Sequence, residues 1–279
     1  MWARTPHRTH DGLMDLPDAG DLGAATRGLR ESTALETGAR IGFAANGILH
    51  LLVGWIALSV AAGHASTTAD QSGALLTLSR QPLGGVLLWL VAAGFALLGL
   101  WYLTEAVTGG RGRDRTDRAK ALAKLVLYAA LAWTAYRFAS GGGSSSRGQT
   151  RDVTATLLGA PGGVALVAVL GLVVVVVGGY HVVKGWRRGF LADLREHPGP
   201  VTVFAGQVGY VAKGLALVVV GVLFVVGALT HSTKDTTGLD GALRTLRAQP
   251  YGAVVLTAIA LGIIAYGIYS FARARYAKV

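Results

Sequence analysis

The sequence predicts an all-α, polytopic membrane protein with six transmembrane helices, built as three tandem two-helix repeats around a pseudo-threefold axis. Three observations carry this. Hydrophobic residues make up 52% of the 279 residues and charged residues only 15%, against roughly 25% charge in soluble domains. Six apolar runs each reach the roughly 20 residues that a helix needs to cross a hydrocarbon core about 30 Å thick. The segment Gly73 to Gly84 recurs, little changed, at Gly241 to Gly252.

Residues 1–37 come first and differ in kind. They are rich in Pro, Gly, Thr and charge, which predicts a disordered, cytoplasmic polar tail with a short helix near Leu35. The tail has no apolar core of the signal-peptide kind, so the first span is expected to direct its own insertion. Repeat 1 follows over residues 38–109, with spans Ile41 to Ala62 and Leu83 to Ala106. Repeat 2 covers 119–186, with spans Ala121 to Ala139 and Gly162 to Val183. Repeat 3 covers 205–275, with spans Gly206 to Thr230 and Tyr251 to Ala272. Val173 to Val177 has high β-propensity, but a membrane barrel needs alternation and about eight strands, and these runs are continuously apolar.

The repeat is read most clearly before each second span. Gly73-Ala-Leu-Leu-Thr-Leu-Ser-Arg-Gln-Pro-Leu-Gly84 matches Gly241-Ala-Leu-Arg-Thr-Leu-Arg-Ala-Gln-Pro-Tyr-Gly252. A weaker middle copy, Thr156-Leu-Leu-Gly-Ala-Pro-Gly-Gly163, keeps Pro161 at the offset of Pro82 and Pro250. These three prolines are helix-start residues by expectation, since a fixed φ favours a first turn. Upstream, Leu75 with Leu78 and Leu243 with Leu246 recur at i and i+3 among Arg80, Arg244 and Arg247, the pattern of a short amphipathic helix lying in the outer interface. Gly141 to Ser146 reads as an external flexible loop that opens no helix.

Net charge is +11, with a pI near 10.3. Seventeen Lys and Arg fall on the side of the termini and seven on the other, a bias that places both termini in the cytoplasm of a plasma-membrane protein. The same charges suit anionic inner-leaflet lipids as partners, and no basic patch interleaved with aromatics argues for nucleic acid. Membrane-protein partners or a homo-oligomer fit the glycine content as well.

Arg40-Ile-Gly42-Phe43 followed by Gly47 and Gly54, then Gly-Ala-Leu-x-x-Leu-x-x-Gln-Pro-x-Gly and a Gly-rich second helix, resembles the actinobacterial membrane proteins grouped as domain of unknown function 1206. The resemblance spans roughly residues 38–275 and is weakest in the middle unit, which lacks the Gly42-type start and a Gln before Pro161. It implies a six-helix membrane protein and no activity.

Glycines seven apart, Gly47 with Gly54, Gly171 with Gly178 and Gly214 with Gly221, share a helix face and are the expected helix-packing residues. Asn46, Lys124 and Lys213 occupy one repeat position near the cytoplasmic end and form a candidate polar ring; lysine can also snorkel from there to headgroups. Glu105, Lys184 and Arg273 share the offset 23 residues after their prolines and form a candidate inter-repeat ion network. His50 lies near mid-depth, without the chain of acids that a proton relay uses.

With no cysteine, thiol chemistry and Cys-ligated metals are excluded. No catalytic, phosphate-cradle or metal motif occurs, so the expectation is a non-enzymatic protein without catalytic, cofactor-binding or metal residues and without a cofactor. The function expected is structural, or lipid- and protein-interacting. The alternative is a small-solute channel or transporter with a pathway between the repeats.

Overall fold

A computed structural model of the chain describes residues 33–64, 67–108, 115–196, 198–232 and 238–278. The polar tail therefore lies outside the described residues except for its last five, which belong to the first helix. Among the described residues every regular element is helical; one isolated antiparallel bridge joins Leu194 to Ala277.

Six helices are long: α1 (Thr33–Ala61), α3 (Gly84–Thr108), α4 (Arg115–Ala139), α6 (Gly163–Trp186), α7 (Pro200–Leu229) and α9 (Gly252–Tyr276). Three are short: α2 (Gln71–Ser79), α5 (Ser146–Leu158) and α8 (Gly238–Arg247). A single 3₁₀ turn, Gly189–Asp193, links α6 to α7. Five long helices are long and apolar enough to cross a membrane: α1, α3, α6, α7 and α9. α4 is as long, but Arg115, Asp117, Arg118, Lys120 and Lys124 crowd its first three turns and Arg137 its last.

The long helices pack in the spatial order α4, α3, α1, α9, α7, α6. In repeats 1 and 3 the two helices of a unit lie side by side, because glycine lets their backbones meet. A Cβ on Gly42 would come within 2.5 Å of the Gly94 carbonyl oxygen, and one on Gly209 within 2.6 Å of the Tyr266 backbone. The middle repeat carries Lys120 at the Gly42 position and Val173 at the Gly94 position. Among the described residues its helices α4 and α6 form no packed interface, which leaves a seam in the bundle. Val173, Val176, Val177 and Tyr180 on α6 and Val126 and Leu127 on α4 are exposed.

Each second helix begins in the same way. In Gln81-Pro82-Leu83-Gly84 the Gly84 N–H donates to the Gln81 carbonyl at 2.8 Å, with Leu83 at φ 64°. Ala160 to Gly163 and Gln249 to Gly252 repeat that bond at 2.9 and 2.8 Å, with Gly162 at φ 73° and Tyr251 at φ 60°. A proline followed by a left-handed residue and a glycine is a type II turn. The prolines thus lie two residues ahead of the first helical residue, and what they preset is the turn.

The short helices depart from a surface placement. Leu75, Leu78 and Leu243 are buried in protein. Arg244 donates to the Thr67 carbonyl at 3.1 Å and Arg247 to the Ala61 carbonyl at 3.2 Å, so these arginines hold protein carbonyls. α2, α5 and α8 form a cap over one end of the bundle. The loop before α5 also departs from expectation, because it does open a helix. The Ser146 hydroxyl donates to Asp70 at 2.7 Å and its N–H to the Ser72 hydroxyl at 3.0 Å, tertiary anchors that start α5 without a side-chain cap. Asp240, fully buried, ties the cap together. It accepts from the Ala69 N–H at 2.8 Å and pairs with Arg244 at 3.0 Å and Arg147 at 3.4 Å.

Candidate functional site: a basic, tyrosine-lined end of the bundle

Opposite the cap, the N-terminal halves of α1, α4 and α7 meet the C-terminal halves of α3, α6 and α9. Successive repeats bring the same positions together here. Asn46 donates to the Ser270 hydroxyl at 3.1 Å between α1 and α9. At the equivalent place between α4 and α3, the Lys124 ammonium lies 4.7 Å from the centre of the Tyr102 ring. Between α7 and α6, Lys213 is an electrostatic neighbour of His181. Asn46 and Lys124 therefore face across repeat boundaries, whereas Lys213 has its ammonium 4.2 Å from the ring of Tyr266 in its own repeat, with His181 of α6 as an electrostatic neighbour.

The second set behaves likewise. The Arg273 guanidinium sits 4.2 Å over the Phe43 ring, and Lys184 lies 5.5 Å from the Tyr210 ring centre, Tyr210 being the repeat counterpart of Phe43. At that position repeat 2 carries Ala121 in place of a ring. Glu105 instead acts on Tyr102 and Lys124. Lys184 has a direct ionic partner that sequence reasoning missed, Asp193 of the 3₁₀ turn, at 2.7 Å.

Lys124 lies within electrostatic range of both Arg273 and Lys184. Lys213 joins them through Tyr266, which lies 4.2 Å from its ammonium and also feels Arg273 and Lys184. Aromatic residues fill the space between. Tyr102 stacks on Tyr128 with centres 5.5 Å apart, Phe190 stacks on Tyr210 at 5.4 Å, and Tyr266 and Tyr269 meet Tyr210 edge-on at 5.2 and 5.5 Å. Cations held over aromatic faces gain from the ring quadrupole without a full counter-charge. Arg273 is the extreme case, with the phenols of Tyr102, Tyr128, Tyr210 and Tyr269 as its electrostatic neighbours. Its Nε is the one buried side-chain nitrogen or oxygen without a hydrogen-bond partner among the described residues.

His50 borders this cluster through Tyr266 and is an electrostatic neighbour of Lys213. Its Nδ1 is 2.8 Å from the Asn46 carbonyl oxygen and its ring is 4.7 Å from Tyr266, which occupies it structurally. His181, which sequence reasoning passed over, stacks on Tyr210 at 5.8 Å. The tyrosines and Phe190 were legible only as apolar residues near span ends, because nothing in their spacing shows that six helices converge on them.

The packing glycines sit between repeats. A Cβ on Gly47 would be 3.1 Å from the Gly267 carbonyl oxygen, one on Gly54 3.0 Å from that of Ala260, and one on Gly221 2.6 Å from that of Gly171. At the α3 and α4 boundary the approach is looser, since a Cβ on Gly99 would meet nothing nearer than 3.8 Å. The looseness leaves an apolar groove of about 670 Å³ between these helices, floored by Ala92, Ala96 and Ala129 and walled by Trp89, Trp133 and Tyr136.

Sequence comparison gives these repeats a family. The profile described as Domain of Unknown Function (DUF1206) matches three times in tandem, at residues 41–109, 119–188 and 208–277. The chain is also 31% identical over 247 residues to the uncharacterized protein YxxB of Bacillus subtilis (strain 168), covering 85% of this chain and 89% of that protein. No solved structure matches the chain. A helical, membrane-type protein composed of three copies of this domain, the chain belongs to the DUF1206 family.

Proposed function

We propose that this chain is a six-span plasma-membrane protein with both termini cytoplasmic, and that it works without enzymatic chemistry by engaging lipid, or the apolar segment of a partner, from the side of the bundle. The observation that carries this reading is the seam between α4 and α6, where Lys120 and Val173 stand in place of glycines and no packed interface forms. A bundle in lipid closes where small residues allow backbone contact. A seam at bilayer depth presents exposed valines to whatever apolar molecule lies beside it. The pseudo-threefold arrangement is supported by the equivalent inter-repeat contacts of Asn46 and Lys124, and of Lys184 and Arg273.

A pathway along the axis has less support. The cap of α2, α5 and α8, tied by Asp240, covers one end, and Phe190 packed against Tyr210 and Tyr269 fills part of the other. The six-span reading requires α4 to cross the membrane despite its charges. Lys120 and Lys124 lie within its first turns, where a lysine stem can reach the interface.

The test is native mass spectrometry of the full chain released from nanodiscs into neutral detergent. Retained, stoichiometric lipid supports lateral engagement. Complete delipidation, or solute flux through reconstituted vesicles that is lost on neutralisation of Lys124 and Lys213, counts against it.

A further inference from the structure

Among the described residues, the basic end of the bundle holds more positive charge than its own side chains balance. Lys124, Lys184, Lys213 and Arg273 converge there, and the carboxylates in range are Glu105 and Asp193. Asp193 is committed to Lys184 at 2.7 Å. Buried charge is ordinarily paired. The aromatic faces and phenols only partly meet that requirement, because neutral groups stabilise a cation without cancelling it. The Arg273 Nε remains buried and without a hydrogen-bond partner.

From this gathering of four cations beside an unpartnered buried guanidinium nitrogen and an open seam, we infer that this end of the bundle binds a phosphate group. A phosphate matches the donors available: a planar guanidinium fork, three ammonium groups and several phenol hydroxyls around one tetrahedral anion. The seam decides how it arrives. α4 carries Lys124, itself exposed, on one side, and α6 carries Lys184, side chain 18% exposed, on the other. A lipid could therefore slide its headgroup between the two helices and leave its chains along Val173, Val176 and Val177. Free inorganic phosphate satisfies the same donors from the aqueous side. The inference rests on the lateral-engagement reading only for its lipid source.

The experiment uses the full chain in two arms. In neutral detergent, its thermal midpoint is followed as inorganic phosphate replaces chloride at constant ionic strength. In nanodiscs of phosphatidylcholine with or without phosphatidylglycerol, native mass spectrometry counts the lipid retained. The expected result is selective retention of phosphatidylglycerol, weakened about tenfold in Arg273→Gln and Lys124→Gln, as for loss of one charge-assisted partner, and unchanged in Arg187→Gln, an exposed control. Stabilisation by inorganic phosphate without lipid selectivity assigns the site to a soluble phosphate; the anion site then stands, and lateral engagement falls only if neither lipid is retained. Equal retention of both lipids with no response to phosphate overturns the anion site and leaves lateral engagement standing. Should Arg273→Gln not fold, Lys124→Gln decides alone, and wild-type selectivity in that variant overturns the inference.

Discussion

Gly178 of α6 and Gly214 of α7 face each other so closely that a Cβ on either would come within 2.8 Å of the other's carbonyl oxygen, at 2.7 and 2.6 Å. Neither carbonyl can yield, since each belongs to a helix ladder. Gly214→Val should therefore force α6 and α7 apart and destabilise the protein by about 1–3 kcal/mol, the usual cost of overpacking. Gly99→Ala, at the repeat-equivalent position where the nearest atom is 3.8 Å away, should be tolerated. Thermal midpoints in one detergent compare them, and equal losses would show that the α3 and α4 boundary is no looser.

The seam predicts a difference in cross-linking. Ala212 of α7 and Gly262 of α9 belong to a packed pair within repeat 3, where a Cβ on Gly262 would press on the Ala212 Cβ. Disulfides need Cβ atoms about 3.8 Å apart, a separation such a pair reaches by a small shift. In this cysteine-free chain, Ala212→Cys with Gly262→Cys should oxidise to a bridge. Ala123→Cys with Val173→Cys, the same positions in repeat 2, should not. Bridging of both pairs to the same extent would mean that α4 and α6 close on each other.

How much of this was readable beforehand differs by residue. The long helices follow from composition, because 20 apolar residues have little alternative to a helix in lipid. Lys120 in place of a glycine already marked the middle repeat as divergent, yet its consequence needed the partner helix, since a glycine's value lies in what approaches it. Arg244 and Arg247 misled for the opposite reason. On an isolated helix they read as headgroup contacts, and only the fold brings the Thr67 and Ala61 carbonyls within their reach. The gathering of Lys124, Lys184, Lys213 and Arg273 was half visible as two shared offsets. Asp193 and the tyrosines were not, because they lie outside those offsets or repeat imperfectly.

Asp240 should be the most sensitive residue of the cap. Its carboxylate is fully buried and serves the Ala69 N–H, Arg244 and Arg147 together. Asp240→Ala strands the buried Ala69 amide and takes the carboxylate from Arg244, whose side chain is 36% exposed, and should cost about 1–3 kcal/mol, the range for an unsatisfied buried partner. Arg147→Ala should cost under about 1 kcal/mol, since that side chain is 45% exposed and screened by solvent. Equilibrium unfolding in mixed micelles gives the ordering, and a reversed order would remove Asp240 as the tie.

Orientation is testable with two exposed positions at opposite ends of α4 and its following loop, Thr116 and Ser145. With both termini cytoplasmic, a membrane-impermeant maleimide applied to intact cells should label Ser145→Cys and spare Thr116→Cys until the cells are opened. The reverse pattern inverts the topology. Labelling of both from outside would mean that α4 does not cross, reducing the spans to the five apolar helices.

The repeated turn before each second helix makes the last prediction. Leu83 and Tyr251 hold φ of 64° and 60°, where an L side chain is strained, and both are exposed, at 77% and 86%. The middle repeat places Gly162 in that conformation. Leu83→Gly removes strain worth about 1–2 kcal/mol while gaining unfolded-state entropy of about 1 kcal/mol, and its lost side chain packs on little. The net change should therefore be small, within about 1 kcal/mol of zero. Gly162→Leu, the reverse exchange, adds that strain but removes the glycine's unfolded-state entropy, so its loss should not exceed about 1 kcal/mol. The residue after the turn answers differently. A Cβ on Gly163 would fall 1.6 Å from the Leu157 carbonyl oxygen, and on Gly84 and Gly252 2.4 and 2.0 Å from those of Leu78 and Leu246. Gly163→Ala must open the turn itself, so its loss should exceed that of Gly162→Leu. If the two variants melt together, the turn is not what holds α5 against the start of α6.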